Sequence, residues 1–143
     1  MNHPVVIQAD LDLALLEKVF SDDVYRRLSP HSYHRLNGDV DHILELLDDE
    51  RMKVNLDTSN VHPDTVVELA RRVADRVIHL HVKDRLNNDH GIVIGTGEVD
   101  FEGIFKHLKN AGFDGWMSLE TLRGGKEELQ TAVNNIRNAW ENA

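Results

Sequence analysis

Cysteine is absent from this chain of 143 residues. That excludes disulfides, thiolate zinc centres and cysteine nucleophiles, so any bound metal must use oxygen and imidazole ligands. A cysteine-free sequence also agrees with a cytoplasmic protein. No basic region followed by an apolar stretch opens the chain, and no run approaches the roughly 18 apolar residues of a membrane span. A cytoplasmic protein without a membrane partner is the expectation. Positive charge is scarce as well, with 16 Lys and Arg against 25 Asp and Glu and a formal net charge of -9. Such a field repels polyanions, which argues against nucleic acid as a partner. Hydrophobic residues make up 41% of the chain, enough to furnish the core of one domain of this length.

What is present is a recurring alternation of short apolar runs and helical periodicities. Residues 5–9 form an apolar run ending near Asp10, and Leu11, Leu15, Leu16, Val19 and Phe20 then recur at helical spacing. Residues 21–38 are polar and carry little pattern beyond Pro30, His31, Tyr33, His34 and the Asn37-Gly38 turn signal. Asp39 can cap a helix containing Val40, Ile43, Leu44 and Leu47, and the acidic Asp48-Asp49-Glu50 leads into a strand at 52–56. Pro63 suits the first turn of a helix reaching about Ala74, with Val66, Val67, Leu69, Ala70 and Val73 on its buried face.

The spacing then predicts a strand over 77–82, a long loop over 87–97 and a helix through Phe101, Ile104, Phe105 and Leu108. Ala111-Gly112-Phe113-Asp114-Gly115 is a helix stop, 116–119 a strand, and Leu129, Val133, Ile136 and Trp140 belong to a closing helix. Repeated β-α units point to an α/β fold with a parallel sheet.

Three of the strands end on side chains that can bind a metal: Asp57, His81 and Glu120. Because side chains alternate along a strand, His79, His81 and Lys83 share one face while Ile78, Leu80 and Val82 share the other. By the same parity Asn55 and Asp57 oppose Val54 and Leu56, and Ser118 and Glu120 oppose Met117 and Leu119. An unsatisfied polar group inside a sheet costs on the order of 1 to 3 kcal/mol, so three polar faces turned inward ask for a compensating ligand. Two carboxylates and an imidazole suit Mn, Mg, Co or Fe, and zinc is compatible.

Each residue alone has a plainer reading. Asp57 before Thr58-Ser59-Asn60 can close an Asx-turn, His81 can be a hydrogen-bonded core histidine, and Glu120 can cap its loop or pair with Arg123. His62 before Pro63 and the loop pair Asp89-His90 are read as structural.

Four segments in order resemble the xylose isomerase-like TIM barrels, a superfamily of sugar-phosphate isomerases and epimerases, inosose dehydratases and an apurinic endonuclease branch. Leu56-Asp57-Thr58-Ser59-Asn60 is similar to the family's Leu-Asp-Thr-Gly-His/Asn stretch, and His79-Leu80-His81-Val82-Lys83-Asp84 to its His-x-His-x-Lys-Asp strand. Gly95-Thr96-Gly97-Glu98-Val99-Asp100-Phe101 resembles its Gly-x-Gly-x-x-Asp-Phe loop, and residues 112–120 resemble its final strand. The similarity spans 38–141 of a single domain over 1–143, with 1–37 as a poorly matched lead-in.

The resemblance implies a partial (β/α) barrel of about four β-α units, equivalent to the second half of a fold that usually has about 250 residues. It implies Asp57, His81 and Glu120 as metal ligands, with Glu120 also carrying a proton. Asn60, Lys83 and Arg85 would lie near substrate oxygens, and His79 would support or pack against the ligands. The implied activity is divalent-metal-dependent isomerisation or epimerisation of a small sugar or sugar phosphate. The alternatives are an inosose-type dehydratase and a non-catalytic remnant that keeps metal or sugar binding.

The sequence departs from the family in two places. The Glu expected on the preceding strand has Ser29-Pro30-His31 as its best-spaced counterpart, which leaves Asp10, His31 or no residue as the fourth ligand. Asn60 stands where several epimerases carry a substrate-binding His. The endonuclease branch needs extra loop ligands for three zinc ions, and the single Asp89-His90 pair together with the negative charge argues against it. An open half-barrel exposes sheet edges, so a homodimer that completes or covers it is expected.

Overall fold

The computed structural model describes residues 5–8, 52–120 and 123–143. The expected helices within 11–20 and 40–47, and the candidate ligands Asp10 and His31, lie outside the described residues. Four strands, β1 (Val5–Gln8), β2 (Met52–Asp57), β3 (Val77–Val82) and β4 (Trp116–Leu119), form one sheet in chain order, every neighbouring pair parallel. Between and after them run α1 (Pro63–Val73), α2 (Phe101–Asn110) and α3 (Gly125–Asn142). A parallel sheet in sequential order, with α1 and α2 packed on the face that carries Val54, Leu56, Leu80 and Val82, is the arrangement of a barrel wall.

The two periodicities meet in the core. Val54, Leu56, Leu80 and Val82, alternate residues of β2 and β3, pack in one cluster with Val66, Leu69, Ala70 and Val73 of α1 and Ile104, Phe105 and Leu108 of α2. All of these are at most 5% exposed. At about 25 cal/mol per Å² of apolar area, each large member contributes roughly 1.5 to 3 kcal/mol by leaving water.

Local signals set the helix ends. The His62 imidazole accepts from the Asp64 amide ahead of Pro63, and the Asp100 carboxylate accepts from the Gly103 amide at 2.8 Å to open α2. Gly112, at φ 78°, takes the left-handed position that follows the end of α2. Elements differ from expectation by small margins. α1 ends at Val73 and tightens into a 3-10 turn over Ala74–Arg76, while β2 continues to Asp57. Leu129 lies on α3 but is 44% exposed, because the helix buries Ala132 and Ile136 and none of its first seven residues.

Residues 83–100 connect β3 to α2, and one side chain organises the loop over 85–99. Asp84 is fully buried: its Oδ2 accepts from the Gly95 and Gly97 amides, both at 2.8 Å, and its Oδ1 from those of Arg85 at 2.8 Å and Val99 at 3.2 Å. A Cβ at Gly97 would collide with the Arg85 carbonyl oxygen and Asp84 Oδ1, so the close approach of this loop requires glycine there.

Candidate metal centre

Strand register brings the metal-capable residues together. Asp57 stands opposite His81, and His81 opposite Ser118. The ladder extends one step past β4, since the Glu120 amide donates to the Val82 carbonyl at 3.0 Å. Glu120 thereby falls on the face of Ser118, as alternation requires. Thr58, fully buried, stitches the strand ends: its hydroxyl donates to the Lys83 carbonyl at 2.6 Å and accepts from the Lys83 amide at 2.9 Å.

Asp57, His81 and Glu120 each offer one ligand atom, and these atoms lie within 4.8 Å of one another. His81 Nδ1 is 3.9 Å from Asp57 Oδ2 and 3.2 Å from Glu120 Oε1. Exposure is graded across the group: the Asp57 side chain is 2% exposed, His81 15% and Glu120 33%. Asp57 Oδ1 accepts from the Ser59 and Asn60 amides, both at 3.0 Å. The Asx-turn and the ligand role therefore coexist, because the turn uses one oxygen and leaves Oδ2 facing the group.

Lys83 enters the same group. Its Nζ is 2.7 Å from Asp57 Oδ2 and 2.9 Å from Glu120 Oε2. Burial disfavours its charge, but the hydrogen bonds and charges of Asp57 and Glu120 outweigh that and hold its pKa above the ordinary lysine value. Two carboxylates face one ammonium in this group, an arrangement that suits a cation.

The other candidates separate. Arg85 folds along its own loop, where Nε and Nη2 donate to the Asn87 carbonyl at 2.9 and 2.8 Å. Asn60 is exposed and enters the group through its backbone amide. His79 Nε2 lies 2.8 Å from Ser118 Oγ, and its ring meets that of His81 edge-on at 5.0 Å. His90 Nδ1 is 3.1 Å from Ser59 Oγ, which ties the loop to the end of β2, and Asp89 Oδ1 accepts from the Gly91 amide in a local turn.

One contributor carried no signal strong enough to be singled out. Asn55, 4% exposed, places Nδ2 3.0 Å from His81 Nε2. A polar residue two positions before Asp57 on the inward face was the available clue.

The donor set fits a divalent cation. Three hard or borderline atoms converge at strand ends, and the second Asp57 oxygen is held by backbone amides.

A family model described as xylose isomerase-like TIM barrel matches residues 28–139, beginning ten positions before the sequence motifs suggest. Inosose dehydratases from Clostridium botulinum (strain Eklund 17B / Type B) and Lacticaseibacillus casei are 26% and 24% identical over 102 and 103 residues, covering 57% and 58% of this chain. The matched segments cover 34% and 35% of those proteins, so the chain spans about a third of the length of the curated relatives it matches. Among solved structures, a D-tagatose 3-epimerase-like protein has a TM-score of 0.57 at 19% identity, covering 71% of this chain and 40% of that one. A xylose isomerase domain protein from Alicyclobacillus acidocaldarius has a TM-score of 0.55 at 17% identity, covering 73% and 43%. These likenesses establish the fold. Its parallel β-α architecture and the extent of the family match make this chain a member of the xylose isomerase-like TIM barrel family, with the described residues forming part of an α/β barrel.

Proposed function

We propose that the protein acts as a divalent-metal-dependent isomerase or epimerase of a small sugar or sugar phosphate, with Asp57, His81 and Glu120 as the metal ligands. The observation that carries this reading is the convergence of their three ligand atoms within 4.8 Å on a group that also holds Lys83. Mn, Mg or Co matches the donor set best and Zn is compatible; when bound, the ion supplies polarisation of sugar carbonyl and hydroxyl oxygens.

The chain's own residues divide the remaining work. Asp57 is buried and fixed by two backbone amides, so it serves as the rigid anchor. Glu120 is the most exposed of the three and can take a proton from one carbon and return it to the next. Lys83 can redirect its ammonium from the carboxylates to a substrate hydroxyl or phosphate oxygen.

A dehydratase is the second reading, favoured by the inosose dehydratases among the relatives. There Lys83 would donate a proton to a departing hydroxyl. Incubation with a panel of sugars and inososes in deuterated water separates the two: an isomerase or epimerase incorporates deuterium at carbon without loss of water. Asp57→Ala and His81→Ala should each abolish bound Mn or Co, and unchanged metal stoichiometry would refute the site. Self-association belongs to the same proposal, because among the described residues β4 pairs with β3 alone and carries Trp116 at 82% exposure.

A further inference from the structure

We propose that Asn55 is a positioning residue that holds the His81 ring with Nδ1 toward the cation site and partners Nε2 in the ligating tautomer. The inference rests on the metal reading above and concerns a residue outside the ligand set. His81 turns Nδ1 toward the carboxylates and Nε2 toward Asn55. A neutral imidazole has one N–H and one lone pair, and only the lone pair binds metal. For Nδ1 to be the ligand, Nε2 must carry the proton and needs an acceptor. The group facing it is the Asn55 carboxamide.

In the present orientation the amide turns Nδ2 to Nε2 at 3.0 Å, which supports the opposite tautomer, with Nδ1–H donating to Glu120 Oε1 at 3.2 Å. Asn55 Oδ1 then has no hydrogen-bond partner although it is buried. A half-turn of the amide corrects both points: Oδ1 accepts from Nε2–H, and the Nδ1 lone pair faces the space between Asp57 and Glu120. An amide is nearly symmetric in shape, so the turn needs no repacking. Asn55 is thus suited to both states of the site, donating to Nε2 when Nδ1 is protonated and accepting from it when Nδ1 is a ligand. Such an outer partner holds the ring's orientation and, when it accepts from Nε2–H, stabilises the tautomer that can ligate.

The test uses the 143-residue chain with zinc as a diamagnetic probe. Long-range proton–nitrogen spectra of the zinc-loaded wild type should show His81 protonated at Nε2. Asn55→Leu should bind zinc about 10- to 100-fold more weakly, whereas Asn55→Asp, which can only accept, should bind at least as tightly as wild type. A loaded protein with the proton on Nδ1, an Asn55→Leu variant of unchanged affinity, or an Asn55→Asp variant as weak as Asn55→Leu would each overturn the proposal. A wild-type spectrum with the proton on Nδ1 overturns the proposal even if a variant fails to fold. Absence of zinc binding by wild type would refute the metal reading itself, and with it this inference; unchanged binding by Asn55→Leu, with binding lost in Asp57→Ala, refutes Asn55's role alone.

Discussion

The Lys83 ammonium bridges Asp57 and Glu120, 2.7 Å from Oδ2 of the first and 2.9 Å from Oε2 of the second. An internal cation therefore occupies part of the charge balance that a divalent ion would otherwise supply. Replacing Lys83 by Met should destabilise the metal-free protein by about 1 to 3 kcal/mol, because the buried Asp57 carboxylate loses a partner. The same substitution should tighten Mn binding, as the ammonium no longer competes. Urea denaturation and Mn titration of one variant test both signs.

The pH dependence of stability follows from the raised pKa of Lys83. A group held charged by folding stabilises the native state fully below its unfolded pKa, and that contribution is lost as the pH rises through the folded value. The metal-free protein should lose stability above the ordinary lysine pKa of 10.5. Lys83→Met should flatten that alkaline decline, measurable as denaturation midpoints across the alkaline range.

Metal should stabilise the fold through mass action. Mn at 100 times its dissociation constant adds about 2.7 kcal/mol, and the resulting rise in melting temperature should vanish in Asp57→Ala. A melting temperature indifferent to Mn, Mg, Co and Zn in wild type would contradict the proposed centre.

Asp84→Asn should loosen the loop over 85–99. Four amides lose a charged acceptor at a fully buried position, at a cost of about 2 to 3 kcal/mol. Limited proteolysis should then cut within this loop faster than in wild type, with little change in the segments on either side.

Trp116→Lys tests the proposed homodimer. Trp116 is 82% exposed, so the change should leave the stability of a single copy within about 0.5 kcal/mol. Sedimentation velocity should show weaker self-association, whereas a wild type that is monomeric at high micromolar concentration would refute the dimer.

Much of this architecture was legible in the sequence because alternation and helical periodicity are local properties. The parity of His79, His81 and Lys83 gave the inward face of β3, and Leu80 and Val82 its core face. What the pattern could not give was the pairing of individual atoms. That Lys83 bridges two carboxylates depends on register between strands, including an irregularity between Val54 and Asn55. Arg85 shows the opposite limit, since a carbonyl two residues away takes two of its guanidinium N–H groups within the loop. Leu129 fits the helical period yet faces water, because periodicity identifies a face and not the length of helix that is covered.

The Asp84 anchor has a consequence for how such a protein can diversify. Its four amide partners sit at the two ends of the loop, at Arg85 and at Gly95, Gly97 and Val99, and none falls between 86 and 94. That intervening segment, apart from the buried Ile94 and the His90–Ser59 contact, hangs from a base clamped directly after Lys83. Changes among its exposed residues, 86–89, should leave the geometry of the strand ends in place.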